Sequence, residues 1–254
     1  MIKKVFFQNS KGDKLAGLLH LPDKEGKFPA VVRASGFMSG KESSSGQAIK
    51  EDLGDDFVYL TFDFYGTGES DGEFINLTPT EEFDDMKAAI DFVYNLEQVD
   101  KERIGIVGSS LGGMVAIYTA ANDPRVKVAV FGAPVTNFKK CFSKDKYNSF
   151  EWKKQGRLTI RDHKGKEFEI GYGFFEEGCK YNLFKEAEKI NIPVLVIQGD
   201  QDKSIPLEDT QKFMPQLKNA KLFIVEGAEH IWSTQPDKLK IFAEKISEFF
   251  KQNL

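Results

Sequence analysis

The sequence predicts an α/β fold: a mainly parallel, eight-stranded sheet with helices on both faces and one inserted cap. Three observations predict it. From about residue 29 to 131, and again from 183 to 251, short apolar runs alternate with stretches of helical periodicity, the rhythm of right-handed βαβ crossovers. The stretch from Arg103 to Ile117 reads as an apolar strand, a turn of small residues and a helix rich in Ala and β-branched residues. Between about Thr136 and Asn182 the alternation stops and the composition turns basic and aromatic, which marks an insertion.

Residues 3–8 and 14–21 read as an antiparallel pair around the turn Asn9-Ser10-Lys11-Gly12-Asp13. Residues 29–34 form a strand running into Ser35-Gly36-Phe37-Met38-Ser39-Gly40-Lys41, and a helix follows at about 43–53. The strand 57–63 ends in the glycine-rich loop 64–72. The next helix has Thr78 as N-cap, Pro79 at its first position and Glu81 completing a capping box; Phe83, Met86, Ile90, Val93 and Tyr94 give it one apolar face through about Leu96. Strand 103–107 and its helix come next, then strand 126–131.

Within the insertion, residues 157–170 alternate like a β-hairpin turning at Lys164-Gly165. The βα pattern resumes with helix 183–190, strand 194–198, helix 207–217, strand 221–225 and an amphipathic helix from about 236 to 251. The expected organisation is a core of residues 1–135 and 183–254 carrying a cap of residues 136–182.

The 254 residues carry a net charge of −4, with 41% hydrophobic and 29% charged residues interspersed, a balance that gives no electrostatic footprint for nucleic acid. No stretch approaches a membrane span, and the N-terminus has no apolar run suited to a secretion signal. Cys141 and Cys179 are too few for a disulfide framework, so reduced thiols and a cytoplasmic location are expected. The 23 phenylalanines read first as core, with an apolar substrate pocket as the sharper alternative.

Gly108-Ser109-Ser110-Leu111-Gly112 is a G-x-S-x-G elbow, which holds Ser110 above the sheet at a helix N-terminus. A serine nucleophile requires a base, and the base an orienting acid. Of three histidines, His20 falls in the early hairpin and His163 near a hairpin tip, whereas His230 follows a strand and shares the strand end of Ser110. Asp200 and Asp202 both follow strand 194–198; Asp200, next to Gly199, suits the turn itself, and Asp202 is favoured as the acid. Oxyanion donors would be the backbone N–H groups of Leu111 and Phe37.

On these segments, and on Asp63-Phe64-Tyr65-Gly66-Thr67-Gly68-Glu69-Ser70-Asp71-Gly72, the chain resembles the α/β-hydrolase superfamily over nearly its whole length. More closely it resembles carboxylesterases of the cinnamoyl/feruloyl type, monoacylglycerol lipases and serine aminopeptidase-like hydrolases. The resemblance implies a triad of Ser110, Asp202 and His230, oxyanion donors at Phe37 and Leu111, and a cap after the sixth strand. Two positions depart from it: Ser35 stands where relatives have His, and Ser109 where many have His.

The expected activity is hydrolysis of carboxylic esters, feruloyl/cinnamoyl or short-to-medium acyl, through an acyl-enzyme and without metal or cofactor. A thioesterase, a serine peptidase or an acyltransferase would use the same triad, and a non-catalytic binding module is the remote alternative. Trp232, Phe142, Tyr147 and Trp152 are candidates for the substrate pocket, with the insertion's own core as the competing role for its aromatics. The expected partner is a small-molecule ester; a homodimer is an assembly the sequence leaves open.

Overall fold

In the computed structural model, which describes residues 1–143 and 147–254, the main sheet is built from β1 (Ile2–Gln8), β2 (Lys14–His20), β3 (Phe28–Ala34), β4 (Val58–Phe62), β5 (Val99–Ser109), β6 (Val126–Gly132), β9 (Val194–Gly199) and β10 (Ala220–Val225). Its order is β1-β2-β4-β3-β5-β6-β9-β10. β2 runs antiparallel to both neighbours, and every pairing from β4 to β10 is parallel. All C-terminal ends of the parallel strands therefore open on one rim.

The inner parallel strands β3, β4, β6 and β9 are buried on both faces because helices cover both. Alternate side chains divide between two cores: Val31, Tyr59 and Val107 face α1 (Ser44–Leu53) and α9 (Pro236–Asn253), while Val32, Leu60 and Ile106 face α2 (Pro79–Tyr94) and α3 (Leu111–Asn122). The Thr78 hydroxyl accepts the Glu81 N–H, as expected of the cap. The Glu81 carboxylate, which a full capping box would return to Thr78, is instead held by Asn9 and Lys11.

β5 begins at Val99, earlier than its apolar run suggests, because the chain enters through a register shift between the pairs Phe28–Val99 and Ala30–Ile104. The helix expected over 207–217 ends at Phe213 and continues as a 3₁₀ turn, Met214–Gln216, since Pro215 has no N–H with which to extend the α-helical ladder. The helix expected over 183–190 spans Leu183–Ala187.

Between β6 and Leu183 lie α4 (Phe138–Cys141), α5 (Ser149–Gln155), the antiparallel pair β7 (Arg157–Arg161) and β8 (Glu167–Gly171), and α6 (Tyr172–Gly178). This hairpin is a sheet of its own. Gly165, at φ +84°, makes the turn, and the Asp162 carboxylate accepts the N–H groups of Lys164 and Lys166. Lys144 and Lys146 of the basic stretch lie outside the described residues.

Candidate active site

β5 ends at Ser109 and α3 begins at Leu111, so Ser110 alone makes the turn, at φ 56° and ψ −118°. A non-glycine residue held there stores roughly 1–3 kcal/mol of strain. Its surroundings over-determine it: the Ser110 N–H donates to Gly132 O at 2.9 Å, and its carbonyl accepts the N–H groups of Gly113 and Val135, both at 3.0 Å. A Cβ on Gly112 would lie 2.4 Å from the carbonyl oxygens of Ala34 and Ser35, and one on Gly108 would lie 2.0 Å from Gly112 O. The two elbow glycines thus let β5, α3 and the end of β3 meet.

His230 lies on the loop after β10 and Asp202 on the loop after β9, and the parallel register brings both to the rim at Ser110. His230 Nε2 is 3.0 Å from Ser110 Oγ, and His230 Nδ1 is 2.7 Å from Asp202 Oδ2. The carboxylate accepts only, so Nδ1 carries the proton and Nε2 presents its lone pair to the serine hydroxyl. Asp202 is buried and itself held from both sides. Its Oδ1 accepts the N–H groups of Ser204 and Ile205, and its Oδ2 also accepts the Gln198 amide at 3.1 Å. Asp200 takes the other role considered for it, accepting the Gly227 N–H at 2.7 Å and so tying down the loop that carries His230.

Gly36 passes against the elbow: a Cβ there would lie 3.6 Å from Ser110 Cβ. The neighbouring Phe37 N–H and the Leu111 N–H, the latter at the start of α3, have no acceptor among the described residues. The loop is clamped by two residues to which the sequence attached no role. Asp63, at the end of β4, accepts the Lys41 N–H at 2.8 Å and the Glu69 N–H at 3.0 Å, and pairs with the Lys41 ammonium. Burial pulls the Lys41 pKa down, but the hydrogen bonds it donates to Asp63 and Glu69 outweigh that and hold it above the usual lysine value. Asp63 directly follows β4, whereas Lys41 lies further along the loop that leaves the adjacent parallel strand β3.

A cavity of about 1410 Å³ opens over Ser110 and His230. Phe37, Phe142, Tyr147 and Trp232 line it, and the hairpin tip at 161–164 reaches its rim. Phe37 stacks on Phe174 with centroids 5.2 Å apart and meets Phe142 edge-on at 5.6 Å, so aromatic rings from the segment after β6 roof the Phe37 loop. Trp152 does not line the cavity. It is buried against Tyr172 and Phe175, and its indole N–H donates to Ile170 O at 3.1 Å, which makes it the core of the insertion. Among the described residues no cluster of His, Cys, Asp or Glu could hold a metal ion, and no helix is long and apolar enough to cross a membrane.

Residues 51–254 match the prolyl oligopeptidase family. The chain belongs to that family. The matched range takes in Ser110, Asp202 and His230 and begins beyond the Phe37 loop. Among solved structures, the hypothetical protein PA2218 from Pseudomonas aeruginosa is similar over 100% of this chain and 94% of its own, with TM-score 0.85 and 25% identity. Est1E from Butyrivibrio proteoclasticus, solved with ferulic acid bound, is similar over 98% of both chains, with TM-score 0.82 and 23% identity. These neighbours place this prolyl oligopeptidase family member in the α/β-hydrolase fold. By sequence, PA2218 is 40% identical over 131 residues, and the palmitoyl-protein thioesterase ABHD10 of Mus musculus is 27% identical over 191, or 72% of this chain. The chain aligns with only 35% and 61% of the lengths of these two relatives.

Proposed function

We propose that this protein is a serine hydrolase that cleaves carboxylic esters through an acyl-enzyme intermediate. The observation that carries the proposal is the single imidazole bridging Ser110 Oγ at 3.0 Å and Asp202 Oδ2 at 2.7 Å. Ser110 Oγ attacks the ester carbonyl while His230 Nε2 takes its proton, and Asp202 stabilises the imidazolium that forms. The carbonyl oxygen becomes an oxyanion held by the N–H groups of Phe37 and Leu111. Collapse of the tetrahedral intermediate expels the alcohol, which His230 protonates; His230 then activates the water that releases the acid and regenerates Ser110. Residues 136–182 act as the cap that encloses the acyl chain, with Phe142 and Tyr147 of the cap and Trp232 of the core as the apolar walls of the pocket.

The test is labelling by a fluorophosphonate probe together with turnover of matched ester, thioester and amide substrates. Ser110→Ala is expected to abolish labelling and to lower ester turnover on the order of 10⁴-fold or more. Near-normal turnover in that variant refutes the assignment. A second reading, thioester hydrolysis, is favoured by the similarity to ABHD10, and the same panel separates it: a thioester turned over far faster than its oxygen ester selects that reading.

A further inference from the structure

Arg33 and the first turn of α1 meet beside the Ser110 loop in an arrangement that lacks a negative charge. Arg33, on β3, is 1% exposed, and among the described residues it forms no ion pair. Its Nη1 donates to Ser35 Oγ and its Nη2 to Ser45 Oγ, each at 2.8 Å, while its Nε–H has no acceptor. Ser45 belongs to the first turn of α1, and a Cβ on Gly46 would lie 3.3 Å from Arg33 Nη1. A full positive charge therefore sits against the positive end of a ten-residue helix. An isolated buried ion costs several kcal/mol, and here the helix end adds to the charge instead of offsetting it. The neighbouring Tyr59 hydroxyl provides no counter-charge, because burial raises its pKa and keeps it protonated. Burial likewise pulls the Arg33 guanidinium below its usual range.

Two further groups on the same wall lack partners: Ser109 Oγ and Trp232 Nε1 are both buried. Arg33 pairs with Val107 in the sheet register, so Ser109, two residues on, faces the same side as Arg33. Arg33, Ser45, Ser109 and Trp232 line the cavity that holds Ser110 and His230. Arginine and tryptophan side chains offer donors only, and a set of buried donors around one cation is suited to acceptor oxygens that carry charge.

We propose that this wall is an anion subsite, and that the substrate carries a carboxylate or phosphate received by the Arg33 guanidinium, the Ser45 hydroxyl and the N–H groups of Ser44 and Ser45, which the Ser43 cap leaves open at the start of α1. The ligand's being a substrate rests on the hydrolase proposal; the site itself does not. Ser35, which holds Arg33, immediately precedes the Gly36 that abuts Ser110.

The experiment compares 4-nitrophenyl butyrate with two acidic esters, mono-4-nitrophenyl glutarate and 4-(butyryloxy)benzoate, and measures melting temperature with sodium glutarate or inorganic phosphate against sodium chloride of equal ionic strength. One acidic ester is expected to exceed the neutral one in kcat/KM at least tenfold, mainly through KM; whichever does so assigns the charge to the acyl or the alcohol side. The acidic-to-neutral ratio is expected to fall at least tenfold in Arg33→Met and in Ser45→Ala. Should Arg33→Met not fold, Ser45→Ala carries the test, with glutarate expected to inhibit butyrate hydrolysis at least tenfold more weakly than in the wild type. Equal rates on all three esters overturn the subsite and leave the hydrolase standing. Absence of both turnover and fluorophosphonate labelling overturns the hydrolase proposal; the subsite then stands only if glutarate or phosphate raises the melting temperature, and falls if neither does.

Discussion

Asp202→Asn tests the proposed relay with the least disturbance, because the structure dictates how the asparagine must turn. Asp202 Oδ1 faces two backbone donors, the N–H groups of Ser204 and Ile205 at 2.9 and 2.8 Å, so the amide oxygen of the introduced asparagine has to stay there. Its NH₂ group is then directed at His230 Nδ1, where an acceptor stood at 2.7 Å. The imidazole must answer with a lone pair on Nδ1, which moves its proton to Nε2 and points it at Ser110 Oγ. A base in that tautomer cannot take the serine proton. The expected loss in kcat is on the order of 10⁴-fold, as for other triads whose histidine is locked in the wrong tautomer. That corresponds to about 5.5 kcal/mol of transition-state stabilisation. Folding survives, since the turn keeps its acceptor and the Gln198 amide, which loses Oδ2, keeps its bond to the Ile205 carbonyl, and a melting temperature within a few degrees of the wild type verifies it. The assay is steady-state ester hydrolysis, with Asp200→Asn in parallel and expected to lose less than about tenfold. An Asp202→Asn enzyme retaining a tenth of wild-type kcat refutes the reasoning, and a larger loss in Asp200→Asn reverses the choice of acid.

Two further predictions concern groups away from the relay. Lys41→Met leaves the buried Asp63 carboxylate without its cation, and urea unfolding is expected to show a loss of about 3–5 kcal/mol, with a fall in kcat as the Phe37 loop loosens; a loss below about 1 kcal/mol contradicts the clamp. Burial, outweighing hydrogen bonds from Tyr65 N–H and Asn9, pushes the Asp85 carboxyl up to about 7 from its ordinary 3.8. The folded protein then holds a proton that the unfolded chain releases, so this group's contribution to stability falls as pH rises from about 4 to 7. His20, whose pKa burial lowers to about 4, acts in the opposite direction between pH 4 and 6.5, so the readout is a difference between proteins. Asp85→Asn is expected to gain on the wild type by on the order of 4 kcal/mol between pH 4 and 8 in urea unfolding; a pH-independent difference rules out the raised pKa.

Much of this architecture is legible because a parallel sheet imposes one rule: side chains that follow apolar strands collect at one rim. Ser110, Asp202 and His230 each follow such a strand, and the other two histidines do not. What escapes are interactions between loops that are remote in sequence. Gln198 reads as the polar end of a strand, and nothing local reveals that its amide holds both Asp202 and the Ile205 carbonyl. Lys41 and Asp63 fall in separate loops, and neither loop by itself points to the other. Trp152 reads as a pocket residue because a seven-residue helix has too few turns for a pattern to tell its buried face from its open one. The full capping box fails because Asn9 and Lys11, some seventy residues earlier, compete for Glu81.

Phe37 belongs to two structures at once. Its ring is held by Phe174 and Phe142 of the roof, and its amide is the proposed donor to the oxyanion. Any displacement of the roof therefore bears on the position of that proposed donor, and its return restores it. Admission and chemistry in such an enzyme are mechanically linked, so that an occupant too small to reseat the aromatic lid would be held yet poorly turned over.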